Sequence, residues 1–174
     1  MNTILEKILE NQYIPEKQAF TKLLIGSRMI EITYSETFSL LFYKAINISE
    51  NDNYKWIFRK MNLIIDAPFW VGEKSKWEEQ MKNDSSIISM DDYMLAYELI
   101  NIRSNNLIQV HKVEFLENYL CISLDNEKIL SIAYCNYSDY TWILEEYNDK
   151  NLQEKMMVFC QGNEIIAKNI TETL

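Results

Sequence analysis

Glycine and proline are scarce, with 3 Gly and 2 Pro in 174 residues. Phosphate-cradling loops and long flexible linkers draw on glycine, so neither is expected, and the turns must rely on Asn, Asp and Ser. There is one histidine, His111. Acid–base and nucleophilic chemistry usually sets His beside a second positioned group, and no G-x-S-x-G, H-E-x-x-H or Walker text accompanies it. A structural or surface histidine is the expectation. Cysteine is limited to Cys121, Cys135 and Cys160, an odd number without C-x-x-C spacing. That disfavours a metal knuckle and fits buried reduced thiols. No run approaches the ~18 apolar residues of a membrane span. The N-terminal text, MNTILEKILENQYIPEK, lacks the basic start and apolar run of a signal peptide. The expectation is a cytoplasmic protein with no catalytic set, cofactor or metal.

Apolar residues are plentiful at 48% of the chain, enough for a packed interior. Acid is also in excess, and unevenly so. Residues 88–174 hold 14 Asp/Glu against 6 Lys/Arg, a balance of -8 within a net charge of -9. An acidic half repels nucleic acid and anionic membrane and attracts basic partners. A solvated acidic surface is the plainer alternative.

Read in order, Thr3 and Glu6 have capping-box spacing ahead of Ile4, Leu5, Ile8 and Leu9, which share a helical face. Pro15 suits the start of a second helix with Ala19, Phe20, Leu23 and Leu24 as its stripe and Gly26 as its stop. Alternation over 28–34 predicts a strand with Ile30, Ile32 and Tyr34 on one face. Phe38, Leu40 and Phe42 line a second strand, 48–54 reads as a loop, and Tyr54, Trp56 and Phe58 mark a third strand. Residues 62–69 read as a fourth strand or an irregular segment, and 72–86 turn polar, with a short helix about Trp77 and Met81.

Ser89 and Asp92 then open a strong helix, with Tyr93, Ala96, Tyr97 and Ile100 as its expected buried face. Asp91 and Asp92 fall in its first turn, where the dipole favours them. Four strands follow over 107–116, 119–124, 128–135 and 139–146, and a hairpin over Gln161-Gly162 closes the chain.

Two regions echo each other. Ile32-Thr33-Tyr34 aligns with Val113-Glu114-Phe115, and Phe38, Leu40 and Phe42 with Leu120, Ile122 and Leu124. Tyr54 and Trp56 then answer Tyr140 and Trp142. Chance likeness between amphipathic hairpins competes with a true internal repeat. The resulting fold class is α+β, mainly antiparallel sheet, which the echo would divide into two loosely repeated β-meander units with N-terminal and mid-chain helices. The chain reads as a single domain, 1–174, whose internal halves would be 1–72 and 88–174 about a 73–87 connector.

The candidate partner-binding residues are Asp139, Tyr140, Trp142, Glu145, Glu146, Tyr147 and Asp149. Tyr and Trp anchor interfaces, and acids around them select a basic partner. The competing reading places Tyr140 and Trp142 in the core, since aromatics at period two usually face inward. Glu145 and Glu146 are adjacent on a strand and so point to opposite faces.

The opening at Gly26 to Ile30, the turn-linked strands, the Trp-Ile pairs at Trp56 and Trp142, and the acidic second half resemble the small acidic immunity proteins of contact-dependent and other polymorphic toxin systems of bacteria. The resemblance spans most of the chain and includes no diagnostic motif, so no residue role carries over. It implies a non-enzymatic protein that neutralises a cognate basic, nuclease-like toxin domain by blocking its active site or substrate groove. A monomer without nucleic-acid or membrane partners is expected. The alternative is a small-molecule-binding domain or enzyme with its site between the two sheet units.

Overall fold

Ala19, Phe20, Leu23 and Leu24 wind into a single buried stripe on helix α1 (Glu16–Leu24). Gly26, at φ +76°, turns the chain out of it, in a conformation that side chains with a Cβ resist. The structure is a computed structural model and describes residues 16–50, 53–83, 88–105, 107–136, 138–147, 155–162 and 164–170. The predicted first helix over 3–9 lies outside the described residues. The fold is α+β, with two antiparallel sheets of six and four strands.

Three strands follow α1 as a meander: β1 (Arg28–Tyr34), β2 (Phe38–Glu50) and β3 (Asn53–Ile65). The expected inward set on β1 is shifted. A bulge between Met29 and Glu31 displaces Ile30, so Met29 turns inward opposite Phe42. Ile32 keeps its place against the core, and Tyr34 stacks on Phe38 at the rim. The stretch read as a loop over 48–54 is instead the end of a long hairpin in which Ile48 pairs with Lys55 and Glu50 with Asn53. The chain then bends through Asp66, Ala67 and Pro68.

The next strand, β4 (Phe69–Glu73), lies in the four-stranded sheet beside β7 and was not anticipated in the sequence. Gly72 is required here, because a Cβ would stand 2.9 Å from the Trp70 ring. Helix α2 (Lys74–Asn83) follows, as the text around Trp77 predicts.

Helix α3 (Asp92–Ser104) is capped by Asp91, whose carboxylate accepts from the Met94 backbone N–H at 3.1 Å. Its face is the reverse of the expected one. Leu95, Leu99 and Ile102 are buried, while Tyr93, Tyr97 and Ile100 are 81%, 56% and 54% exposed. Both stripes are apolar, so periodicity alone could not choose between them.

A second meander, β5 (Val110–Phe115), β6 (Tyr119–Leu124) and β7 (Lys128–Ala133), follows with the expected turns. The next strand, β8 (Trp142–Glu146), was expected to complete this sheet. It crosses instead to the other one and pairs with β3, and β9 (Met157–Gln161) and β10 (Glu164–Lys168) extend it. The sheet orders are thus β1-β2-β3-β8-β9-β10 and β4-β7-β6-β5. Each meander is preceded by a helix and followed by a strand that joins the other sheet, so both halves contribute to both sheets.

The echo is partly structural. Ile32 pairs with Leu40 and Tyr34 with Phe38, just as Val113 pairs with Ile122 and Phe115 with Leu120. The offset that aligns Ile32 with Val113 also aligns Ile30 with His111, and each sits at the bulge of its strand. The aromatic end of the echo fails. Trp56 is on β3 and 57% exposed, whereas Trp142 is on β8 and fully buried.

The inner faces pack together. Leu40, Met61, Leu63 and Leu144 of one sheet meet Leu120, Ile122, Leu130 and Ile132 of the other, with α1 and α3 joining the same core. Each such side chain contributes roughly 1.5–3 kcal/mol when fully withdrawn from water. The four-stranded sheet is covered on its outer face as well. There Trp70, Tyr119, Cys121, Ile129 and Ala133 lie under Trp77 of α2 and Ile88. All three cysteines are free and buried, and burial pushes the Cys121 thiol up to about 11.

Candidate binding surface

The two faces of the six-stranded sheet differ in what covers them. Inward go Phe38, Leu40, Phe42, Met61, Leu63, Ile65, Trp142, Leu144, Val158 and Cys160, all buried in the shared core. By the period of two, Leu41, Tyr43, Lys60, Asn62, Ile64, Ile143, Glu145 and Phe159 point the other way. Each helix described packs elsewhere: α1 on β5, β9 and β10, α2 on β4 and β7, α3 on β1 and β4. Among the described residues, no helix lies across this outer face.

The β2–β3 hairpin runs past its neighbours. Pairing with β1 ends at Arg28 and Tyr43, and pairing with β8 begins at Met61 and Glu146. One further backbone bond, Tyr147 N–H to Lys60 O at 2.9 Å, completes that edge. Beyond it, residues 44–50 and 53–59 form a two-stranded arm. A lone two-stranded ribbon is marginal in water, and its open edges invite pairing. Lys44, Lys55 and Arg59 put cations along it, and Lys44 Nζ ties its base to α1 by donating to Lys22 O at 2.6 Å. Partial burial, with Arg59 close by, lowers the Lys44 pKa.

The outer side of the arm is aromatic. Phe58 is 61% exposed and stacks on Tyr43 with centroids 5.6 Å apart, and Trp56 is 57% exposed. The Arg28 guanidinium also lies over the Tyr43 ring, 5.6 Å from its centroid. Sequence alternation marks Trp56 and Phe58 as a pair but gives no sign that their side faces water.

The seven predicted partner-binding residues separate. Asp139 and Tyr140 are exposed ahead of β8, and the Tyr140 ring meets Phe159 edge-on at 5.3 Å. Glu145 and Glu146 are half-buried at the far end, on opposite faces, opposite Asn62 and Met61. Tyr147 is 55% exposed beside Lys60. Asp149 lies outside the described residues. Trp142 does not belong to a surface. It is fully buried against Phe20, with ring centroids 4.7 Å apart, because β8 is sandwiched between β3 and β9 with this face inward.

His111 is exposed on the β5 bulge, with Nδ1 3.8 Å from an Asp125 carboxylate oxygen. Among the described residues, no three His, Cys, Asp or Glu side chains gather to hold a metal ion. No helix described is long and apolar enough to cross a membrane. Between the sheets, Ser27, Met29, Leu40, Leu99, Ile122 and their neighbours leave a void of about 20 Å³, room for roughly one water. A larger cleft of about 330 Å³ opens at the rim where the sheets meet, lined by Tyr34, Phe38, Ile65, Phe69, Met90 and Asp92.

No family model matches this chain, and no curated protein or solved structure does.

Proposed function

We propose that this protein is a non-enzymatic, acidic, cytoplasmic binding protein of the immunity type, which neutralises a basic, nuclease-like toxin domain by covering its active site or substrate groove. The observation that carries the reading is the unequal cover of the two sheets. The four-stranded sheet is closed over Trp70, Tyr119 and Ile129, while the six-stranded sheet carries an arm whose Trp56 and Phe58 are exposed, next to an outer face on which Lys60 is exposed and Leu41 and Phe159 are buried. Large exposed aromatics on a rigid sheet act as contact anchors at low entropic cost.

The charge divides the task. The arm itself is basic, so attraction to a basic partner comes from Asp139, Glu145 and Glu146 along β8 and from the wider acidic second half. Steering would act through those carboxylates, and grip through Trp56, Phe58 and Tyr147.

The test is stopped-flow association with a basic toxin domain encoded beside this chain. Binding should inhibit the toxin and weaken as salt rises from about 50 to 300 mM. Glu145→Gln with Glu146→Gln should slow association, while Trp56→Ala with Phe58→Ala should speed dissociation. No binding, or binding indifferent to salt, overturns the reading.

A further inference from the structure

A helix that is apolar all round is ordinarily buried all round. Helix α3 is apolar on two sides and buried on one. Leu95, Leu99 and Ile102 enter the core, and on the opposite side Tyr93, Tyr97, Ile100 and Ser104 recur at the i, i+4, i+7 spacing of a helix-packing seam. The seam has no charged residue in it from Tyr93 to Ser104. Asp92 and Arg103 lie on one flank, and Glu98, away from the seam on the other side, is already paired with Lys128. Asp92 is at the N-terminal end and Arg103 at the C-terminal end of their flank, a quarter-turn from the seam.

That arrangement is complementary to itself when reversed. In an antiparallel helix pair the same flank of each helix faces its counterpart, and the N-terminal end of one meets the C-terminal end of the other. Asp92 would then stand near the second copy's position 103, an arginine. With Tyr97 level with position 100, an isoleucine, and Tyr93 with position 104, where serine leaves room for a ring, Asp92 lies two residues, about 3 Å along the axis, from level with the second copy's arginine, within reach of that long side chain. The two helix dipoles oppose, which is also favourable. A parallel two-fold pair would instead set this flank against the opposite one, at Met94 and Asn101, and leave both charges without a counterpart.

Both charges are already held in place by β1. The Tyr34 hydroxyl donates to the Asp92 carboxylate, and the exposed Arg103 donates from Nε to Ile30 O at 2.9 Å. Such preorganisation lowers the entropy lost on pairing.

We propose that the outer face of α3 is a homodimer contact, in which two copies of this chain pair their α3 helices antiparallel about a two-fold axis near Tyr97 and Ile100. The contact replaces the monomer expected from the sequence, and it is separate from the sheet face and arm assigned to a partner. A single helix pair lies at the small end of specific interfaces, so a dissociation constant on the order of 10–100 µM is expected.

Sedimentation velocity from about 1 to 500 µM brackets that range. A reversible monomer–dimer equilibrium is expected. Ile100→Lys and Tyr97→Lys, at exposed positions that leave the core untouched, should each raise the dissociation constant at least about tenfold. Asp92→Arg and Arg103→Asp should each weaken self-association, and an equimolar mixture of those two variants should recover it, with far-UV circular dichroism confirming that each is folded. A monomer at the highest concentration overturns the proposal, as does a dimer indifferent to Ile100→Lys. Single charge variants that dimerise as well as the parent overturn the antiparallel register.

Discussion

The two sheets are built by the same meander and finished differently. In the four-stranded sheet, every residue of β6 is buried, and β7 is buried from Ile129 to Ala133, because the other sheet covers one face and Trp77 of α2 covers the other. In the six-stranded sheet, β2 and β3 bury Phe38, Leu40, Met61 and Leu63 while Lys60, Asn62 and Ile64 face outward. The text differs accordingly: YLCISL and KILSIA are nearly continuous apolar runs, whereas NYKWIFRKMNLII alternates. The doubly covered sheet holds the fold, and the six-stranded one carries the arm on which Trp56 and Phe58 are exposed.

Substitutions can break that contrast. The largest loss should come from stripping the second cover: Trp77→Ala removes an indole that is 6% exposed and lies edge-on to Tyr119, 5.9 Å between centroids. A destabilisation of about 3–5 kcal/mol in urea unfolding is expected. Alkaline pH should erode the same layer. The Cys121 thiol, pushed up to about 11, keeps its proton in the folded protein at pH values where the unfolded chain has released it. Its contribution is complete below about pH 8.5 and is lost as pH rises toward 11, a loss on the order of 2 kcal/mol. Cys121→Ala should flatten that part of the stability–pH curve relative to the parent, while native-state alkylation at pH 8 stays slow in the parent.

A smaller effect, about 1 kcal/mol, is expected for Asp91→Ala, which leaves the Met94 N–H of α3 without its cap; thermal melts read it directly. On the open face, Trp56→Ala should shift the urea midpoint least, by less than about 0.5 kcal/mol, since the side chain is mostly in water. A large loss there would mean that the arm's aromatics support the fold.

Local features read well from the sequence because their causes are local. Gly26 stops α1, and α3 opens where its capping signal lies, although the cap is Asp91 and not the expected Ser89. The candidate surface read less well. Trp142 and Trp56 sit in similar Trp-Ile strand text, yet one is at the centre of the core and the other on the arm, because burial depends on which strands flank each. Asp139, Tyr140, Glu145 and Tyr147 are at the surface, but the length of β8 separates the first two from the last two.

The sequence by itself marked the three described helices, most of the strands and the acid-rich second half, while the hairpin end over 48–54 and β4 were not legible in it. The marked elements follow from side-chain period, turn chemistry and capping, all within a few residues. Only the tertiary structure decided that β4 and β8 join each other's sheets, that α3 buries Leu95, Leu99 and Ile102 and not its tyrosines, and that the β2–β3 arm projects. Those outcomes rest on competition among apolar faces of similar strength, which is settled by what packs against them.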